Sequence, residues 1–216
     1  MDATRQDSSA LSALAERLDR LESLDEIRQL AAKYSLALDM RDSTAWAGLF
    51  PEDIRVGDGK TGRAALRAWF ESTMRNTFTG TAHHIGGHII ELIDQNTAQG
   101  VVYSKNEHET NTQWVIMQMM YFDRYERIDG RWYFRRRLPL YWYATDLNQP
   151  PLGDNKMRWP EVTPYEGSFH DLFPSWKEFW DRAPLDDSTP VATPAPFGEF
   201  INTMRRGKAL PKVRVA

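Results

Sequence analysis

Four β-like runs follow one another between His83 and Thr145, and short polar turns join them. The runs are HHIGGHIIELI, AQGVVYSKNEHET, WVIMQMMYFDRYERI and WYFRRRLPLYWYAT. The turn before the last run contains Asp129-Gly130, which is a strong signal for a tight β-hairpin. Because such short connections join antiparallel neighbours, this part of the chain is predicted to form an antiparallel meander.

Helical periodicity precedes the strands. Leucines and alanines recur at spacings of three and four over residues 11–38, which indicates helix. Ser23 followed by Glu26 resembles a capping box and predicts a second helix beginning near Leu24. A short helix after Asp42 and an amphipathic helix over residues 63–78 come next. Helices followed by a meander predict an α+β fold, with the helices packed on one face of a curved sheet.

Composition divides the chain into three parts. Residues 1–22 are predicted to form an N-terminal helical arm, and its narrow apolar stripe could pair with a partner chain. Residues 23–145 hold the α+β domain. Residues 146–216 are rich in proline and aromatic residues, and so many aromatic rings are unusual in a disordered tail. We therefore expect this extension to wrap the domain or a neighbouring subunit.

The composition also limits the possible functions. The chain of 216 residues has a net charge of −3 and no cysteine, which excludes disulfides, thiolate catalysis and cysteine-based metal sites. The charge gives no reason to expect a nucleic acid partner. No secretion signal is recognised, and no window approaches the ~18 apolar residues of a membrane span. The sequence is thus predicted to be a cytoplasmic protein without a membrane partner.

Residues 57–62, GDGKTG, match the G-x-G-x-x-G pattern of dinucleotide-binding sites. That pattern requires a buried strand before it and a parallel strand after the following helix. The strands that follow here are predicted to be antiparallel. We interpret the glycines as a turn that leads into the helix beginning at Arg63.

The stretch TAHHIGGHII, residues 81–90, contains three of the five histidines. Regular alternation would place His83 on one face of the strand, and His84 with His88 on the other. His84 and His88 would then lie roughly 13 Å apart along the strand, too far to share one metal ion. We predict no metal site and no cofactor. Glycines within a strand allow a ligand to approach closely, so a pocket histidine and a structural histidine are both possible.

Asp39 lies near the end of the apolar helix that also carries Tyr34. A carboxylate at a helix C-terminus opposes the helix dipole and needs a partner. A histidine can be that partner, since an aspartate fixes the imidazole tautomer and raises its basicity. A solvated aspartate in a loop is the alternative.

Several short motifs resemble the SnoaL-like branch of the NTF2-like superfamily. They are Y-x-x-A-L-D-x-R-D-x-x-x-W-x-x-L-F, G-R-x-A-L-x-x-W, T-x-H-H-I-G-G-H-x-I-E and Y-F-D-R-Y-E-R-x-D-G-R-W-x-F-x-R-R, in this order over residues 22–145. The resemblance implies a cone, in which a curved antiparallel sheet encloses a pocket closed by the N-terminal helices. It also implies cofactor-independent chemistry, because the branch contains dehydratases, dehydrochlorinases, isomerases and lyases that release formaldehyde from lignin-derived dimers.

The resemblance further implies site residues. Asp39 and His83 match a recurring Asp–His pair, with His84 as the alternate base. Tyr34 matches a polar pocket position, and Arg137, or Arg135, matches a basic position late in the sheet. Candidate pocket aromatics are Trp46, Trp69, Phe70, Trp114, Tyr121, Tyr141 and Tyr143. The residues expected to bind substrate are Trp46, Trp69, His84, Trp114, Tyr121 and Tyr141. Met117, Met119 and Met120 would add an adaptable wall.

These residues predict a lyase that eliminates water or formaldehyde from a small hydrophobic, hydroxylated aromatic substrate. His83 would act as the base, Asp39 would orient it, and Tyr34 or Arg137 would assist the leaving group. The alternatives are a small-molecule-binding module without catalysis, an isomerase of the same fold, and an oligomerisation scaffold. A homodimer or homotrimer is expected, because the run around Trp114 is too apolar to face water.

Overall fold

The computed structural model describes residues 2–156, 170, 173–182 and 192. Four helices are present in this part of the chain: α1 (Asp2–Asp39), α2 (Ser43–Ala47), α3 (Arg63–Thr77) and α4 (Pro174–Trp180). A short 3-10 helix spans Gly153–Asn155. The strands are β1 (Arg55–Gly57), β2 (Lys60–Thr61), β3 (Gly80–Leu92), β4 (Thr97–Glu109), β5 (Trp114–Ile128) and β6 (Arg131–Asp146).

Strands β3 to β6 form one antiparallel sheet in sequence order. The predicted meander is therefore confirmed. Asp129 and Gly130 form the β5–β6 turn with positive φ angles of 50° and 78°, as the tightest hairpin turns require. Breaks in the pairing register occur between β3 and β4 and at two places between β5 and β6, whereas β4 and β5 pair without interruption. Such bulges bend and twist a sheet.

The helix break expected near Leu24 is wrong, because α1 continues without interruption to Asp39. Ser23 is buried, and Glu26 accepts a hydrogen bond from the backbone N–H of Trp132 at 3.1 Å. Glu26 thus fastens the middle of α1 to β6. The capping pattern placed Glu26 at a helix N-terminus, but its side chain makes this tertiary contact instead.

The concave face of the sheet packs against the helices. Ile27, Leu30 and Leu38 of α1 join Trp46 of α2 and Phe70 of α3 in one buried cluster with the inner residues of β5 and β6. This cluster holds the C-terminal end of α1 in the position where it crosses β3. The predicted α+β architecture, with N-terminal helices closing a curved NTF2-like sheet, is confirmed.

Met120, Phe122 and Leu138 belong to a second buried cluster and lie on the opposite, convex face of the sheet. Phe173 packs against it, with its ring centroid 6.2 Å from that of Phe122. Most of the proposed extension, residues 146–216, lies outside the described residues. No helix in the described part of the chain has the length and apolar character needed to cross a lipid bilayer.

Candidate active site

A cavity of about 800 Å³ lies between the concave face of the sheet and helices α1 to α3. This volume is in the range that binds small organic molecules. More than half of its lining residues are aromatic or aliphatic, and the others are polar or charged. Its polar and aromatic lining residues include Tyr34, Trp46, Phe50, Trp69, Phe78, His83, Asn106, His108, Tyr121, Arg137 and Tyr141.

Asp39 and His83 form a hydrogen-bonded pair at one wall of the cavity. Asp39 Oδ1 lies 2.7 Å from His83 Nδ1, and Asp39 Oδ2 accepts the backbone N–H of His83 at 2.8 Å. The His83 side chain is only 3% exposed. Because the carboxylate accepts from Nδ1–H, the neutral ring carries its proton on Nδ1 and presents Nε2 as the basic nitrogen.

Two further residues hold the carboxylate of Asp39 in place. Thr81 donates its hydroxyl hydrogen to Asp39 Oδ1 at 2.9 Å, and Arg41 donates to Thr81 Oγ1 at 2.7 Å. Arg41 has a left-handed backbone conformation, φ 60°, where α1 has ended. Burial acts to raise the pKa of Asp39, but the hydrogen bonds from His83 and Thr81 outweigh it and hold that pKa below its ordinary value. Asp39 is therefore a carboxylate at neutral pH.

His108 and Asn106 of β4 lie beside this pair. His83 and Asn106 are directly opposite each other in the β3–β4 register. The His108 ring meets the His83 ring edge to face, with 5.2 Å between centroids. Burial and the neighbouring His83 lower the pKa of His108 to about 3. His108 is thus a neutral imidazole next to the proposed base.

Asn106 is fully buried. Its amide donates to Tyr121 Oη at 3.1 Å and to Met119 Sδ at 2.8 Å, and its carbonyl oxygen accepts from the Ser104 hydroxyl. This network fixes the orientation of the Tyr121 phenol on the cavity wall. Burial, with the neighbouring Tyr34, raises the pKa of Tyr121 far above its ordinary value.

A buried cation forms another part of the wall. Arg137 donates through Nε and Nη2 to the two carboxylate oxygens of Asp123, at 2.9 and 2.8 Å. Their side chains are 4% and 0% exposed. Burial disfavours the charge of Arg137, but Asp123 raises the pKa again, so the guanidinium stays charged. Arg137 Nη1 forms no hydrogen bond with the described residues.

Three aromatic rings surround this guanidinium. Its central carbon lies 4.3 Å from the ring centroid of Tyr34, 4.1 Å from that of Tyr121 and 4.3 Å from that of Phe134. Burial raises the pKa of Tyr34. The positive charge of Arg137 opposes that rise. Tyr34 therefore remains a protonated phenol that can donate a hydrogen bond.

Tyr125 and His88 extend the network behind Arg137. Tyr125 donates its hydroxyl hydrogen to Asp123 Oδ2 at 2.9 Å. The phenol oxygen also lies 3.0 Å from His88 Nε2, so Nε2–H of His88 must be the donor in that bond. Burial lowers the pKa of His88 to about 4. A neutral His88, Tyr125 and Asp123 thus form one chain that ends at the guanidinium of Arg137.

The face assignment for the three histidines is partly wrong. A register break between Ile85 and His88 adds a bulge at the two glycines, and a bulge inverts the alternation beyond it. His83 and His88 therefore both point to the concave side. His84 is exposed and does not line the cavity, so its assignment as a substrate-binding residue or alternate base does not fit this geometry.

The other predicted site residues separate into two groups. Those that line the cavity are Tyr34, Trp46, Trp69, His83, Met117, Met119, Tyr121, Arg135, Arg137 and Tyr141. Asp39 lies behind His83. Those outside the cavity are Phe70, Trp114, Met120 and Tyr143. Trp114 is the first residue of β5 and is 41% exposed. Met117 and Met119 of the same strand line the cavity, so alternation places Trp114 on the opposite face. Its predicted role in substrate binding therefore does not fit this geometry.

Asn106 and His108 were missed by the sequence analysis. They are separated by one residue in the run Asn106-Glu107-His108, so alternation places both on the same face of β4. The available signal was the pairing of β3 with β4 around the turn at residues 93–96. Counting back from that turn across the bulge brings Asn106 opposite His83.

The comparisons with known proteins agree with this architecture. The model of the family described as "SnoaL-like domain" matches residues 19–138, which is more than half of the chain. No curated protein matches this chain.

Solved structures share the fold. A putative scytalone dehydratase from Novosphingobium aromaticivorans DSM 12444 is 28% identical, with a TM-score of 0.53, over 61% of this chain and 92% of that chain. The hexachlorocyclohexane dehydrochlorinase LinA-type3 from Novosphingobium barchaimii LL02 is 21% identical, with a TM-score of 0.56, over 62% and 96%. A structure of LinA is 23% identical, with a TM-score of 0.56, over 62% and 95%.

The first of these similarities is consistent with a small-molecule-binding protein or a dehydratase-type enzyme, and the other two support the fold. The family match and the confirmed helix-then-meander fold agree, and this chain belongs to the SnoaL-like family of the NTF2-like superfamily.

Proposed function

We propose that this protein is a cofactor-independent lyase that catalyses an acid–base elimination on a small, hydrophobic, hydroxylated aromatic compound. The observation that carries the proposal is the Asp39–His83 pair, whose Nδ1–Oδ1 distance is 2.7 Å at the wall of a largely apolar cavity. An oriented imidazole in such a site is suited to act as a general base near neutral pH. The similarity to a putative scytalone dehydratase supports the same reaction class.

In loss of water, His83 Nε2 removes a proton from a carbon next to the one that bears the hydroxyl group. The C–H electron pair becomes the new double bond, and the C–O bond breaks. The departing oxygen needs a proton or a hydrogen bond, which Tyr34 can donate, while the charge of Arg137 stabilises the negative charge that develops there. The proton taken by His83 returns to solvent after the product leaves.

In loss of formaldehyde, His83 Nε2 instead removes the proton of a hydroxymethyl group. The O–H electron pair forms the carbonyl of formaldehyde, and the C–C bond breaks. The released pair forms a double bond as a leaving group departs from the adjacent carbon, again with help from Tyr34 and Arg137. Both reactions use one base and one stabilised leaving group, and neither changes the oxidation state of the protein.

The cavity wall supports an aromatic substrate. Trp46 and Trp69 are stacked with 6.2 Å between their centroids and 27° between their planes. Tyr34 and Tyr121 flank the guanidinium of Arg137. Flat apolar rings of this kind favour flat ligands through offset stacking and edge contacts. The flexible side chains of Met117 and Met119 can adapt to substituents.

The test is incubation of the purified protein with a panel of hydroxylated aromatic dimers and alicyclic alcohols. Products are followed by mass, and formaldehyde is assayed separately. The proposal expects a mass loss of water, or of formaldehyde together with a leaving group, that the variant His83→Ala loses. His84→Ala is the matched control, because it removes an exposed imidazole from the adjacent position of the same strand, and it should retain full turnover.

Two other outcomes would contradict the lyase. Ligands that raise the melting temperature of the protein without any turnover would support a binding module, in which Asp39 and His83 form a structural hydrogen bond. A product of unchanged mass would support an isomerase of the same fold. Equal turnover in His83→Ala and the unmodified protein would remove His83 from the mechanism.

A further inference from the structure

The N-terminal half of α1 stands apart from the domain. Between Asp7 and Glu22 every side chain is exposed except that of Asp19, which is half-buried. Within the described residues, the domain contacts this segment through an ion pair between Asp19 and Arg127, with 2.8 Å between Oδ1 and Nη1. Isolated helices of this length are marginal in water. A partner for this segment would supply the missing stabilisation.

One side of the segment is a stripe of leucines. Leu11, Leu14, Leu18 and Leu21 are 67%, 59%, 53% and 62% exposed. Their spacings of three, four and three residues match the a and d positions of two consecutive heptads. The stripe is therefore a seam about 15 Å long, at 1.5 Å per residue. Such a seam is the surface through which helices pair in a coiled coil.

The charged residues beside the seam favour one partner and one orientation. With Leu11 and Leu18 at a, Arg17 takes a g position and Glu22 takes the following e position. In a parallel, in-register pair, a g residue faces the e residue five positions later on the other helix. Arg17 of one copy then meets Glu22 of the other, twice by symmetry. An antiparallel pair would instead set g against g and place the two arginines together.

The other residues beside the leucine seam add no charge repulsion to a parallel pair. The preceding g and e positions are Ala10 and Ala15, which are small and uncharged. We propose that residues 11–21 of α1 pair with the same segment of a second copy of this chain, parallel and in register. The inference does not depend on the proposed function.

The absence of cysteine from the chain allows a direct test by cross-linking. Leu18→Cys places one thiol at an a position, where the two copies meet. Ser12→Cys places one thiol at a b position on the outer side of the same helix. Under mild oxidation, the full-length Leu18→Cys protein should form a disulfide-linked pair of chains at least ten times faster than Ser12→Cys. Equal rates, or no linked pair from Leu18→Cys, would overturn the proposal.

Charge reversal tests the orientation. Arg17→Glu and Glu22→Arg each create two like-charge contacts in the pair, so each variant should associate roughly three- to tenfold more weakly by sedimentation. An equimolar mixture should regain association, because the mixed pair restores both opposite-charge contacts. A mixture no stronger than the separate variants would exclude the parallel register. Cross-linking to a different protein would show that another partner binds the leucine seam. A monomer at micromolar concentration would show that the seam binds no second copy.

Discussion

Replacing Asp39 with asparagine changes one atom and conflicts with the hydrogen bonds that the carboxylate accepts. Oδ1 accepts from His83 Nδ1 at 2.7 Å and from Thr81 at 2.9 Å, and Oδ2 accepts from the backbone N–H of His83 at 2.8 Å. An asparagine has one acceptor oxygen and one donor nitrogen. Whichever way the amide is turned, one of the His83 donors faces an N–H₂ group.

The two orientations have different consequences. If the amide nitrogen faces His83 Nδ1, the ring must move its proton to Nε2, and the basic nitrogen no longer faces the cavity. If the amide nitrogen faces the backbone N–H, that buried donor loses its acceptor, at a cost of about 1–3 kcal/mol. The first outcome removes the base. In catalytic triads the same exchange lowers kcat by about 10⁴-fold, and we expect a loss of roughly 10²–10⁴-fold here.

The pH dependence of the unfolding free energy provides a test of the Asp39 carboxylate that activity alone does not. The pKa of Asp39 is lowered in the fold, so its carboxylate stabilises the native state above the ordinary carboxyl pKa of about 3.9. That contribution is lost as the pH falls through the lowered value. The difference in unfolding free energy between the unmodified protein and Asp39→Asn should therefore be present at pH 7 and shrink below about pH 4.

The assays are turnover of any substrate found in the panel and urea unfolding between pH 3 and pH 7. Asp25→Asn is the control, because Asp25 is an exposed carboxylate on the same helix and should change neither quantity. Full activity in Asp39→Asn, or a stability difference that does not depend on pH, would refute the reasoning.

Three further predictions concern the structure behind the cavity. Asp123→Leu leaves a buried guanidinium unpaired and should cost about 3–5 kcal/mol by urea unfolding, while adding Arg137→Met should recover most of that loss; equal stabilities of the single and double variants would contradict the buried pair. Gly100→Ala should destabilise by about 1–3 kcal/mol, since its Cβ would lie 2.7 Å from a backbone carbonyl oxygen of β3, whereas Gly87→Ala, with no atom within 4 Å of its Cβ, should be close to neutral. His88 has a pKa of about 4 in the fold, so unfolding takes up a proton below about pH 6.5 and stability should fall from there towards pH 4; His88→Phe should flatten that decline.

The order of elements could be predicted because its signals are local. Alternating strands, the Asp129-Gly130 turn and helical periodicity each depend on neighbours in the sequence. The break near Leu24 was wrong for the same reason. Ser23 and Glu26 satisfy a local capping pattern, but Glu26 forms its hydrogen bond with Trp132, more than a hundred residues away.

The faces of the histidines show a second limit. One extra residue at the glycine pair inverts the alternation, so His88 joins His83 on the concave side. Strand periodicity cannot locate such a bulge, although two consecutive glycines in a strand are a typical signal for one. Likewise, the approach of His108 to His83 depends on the register between strands, which the sequence leaves open until the turn and the bulge are both known.

The pairing of Asp39 with a histidine was a hypothesis from electrostatics and from family resemblance. A carboxylate at a helix C-terminus needed a partner, and the structure provides His83 through the crossing of α1 over β3. The chain from Arg137 to His88 was not anticipated. Its four members lie on three strands, and only the bulges and the absence of a side chain at Gly100 bring them together.

The central claim is that Asp39 holds His83 in the tautomer whose Nε2 is free to act as a base in the cavity. The most direct measurement is the nitrogen chemical shifts of the imidazole of His83 by NMR in the unliganded protein at neutral pH, assigned through loss of its signals in His83→Ala. The expected result is that the neutral form of the ring is protonated at Nδ1 and unprotonated at Nε2. A neutral ring protonated at Nε2 would contradict it, because that nitrogen could not then accept the substrate proton.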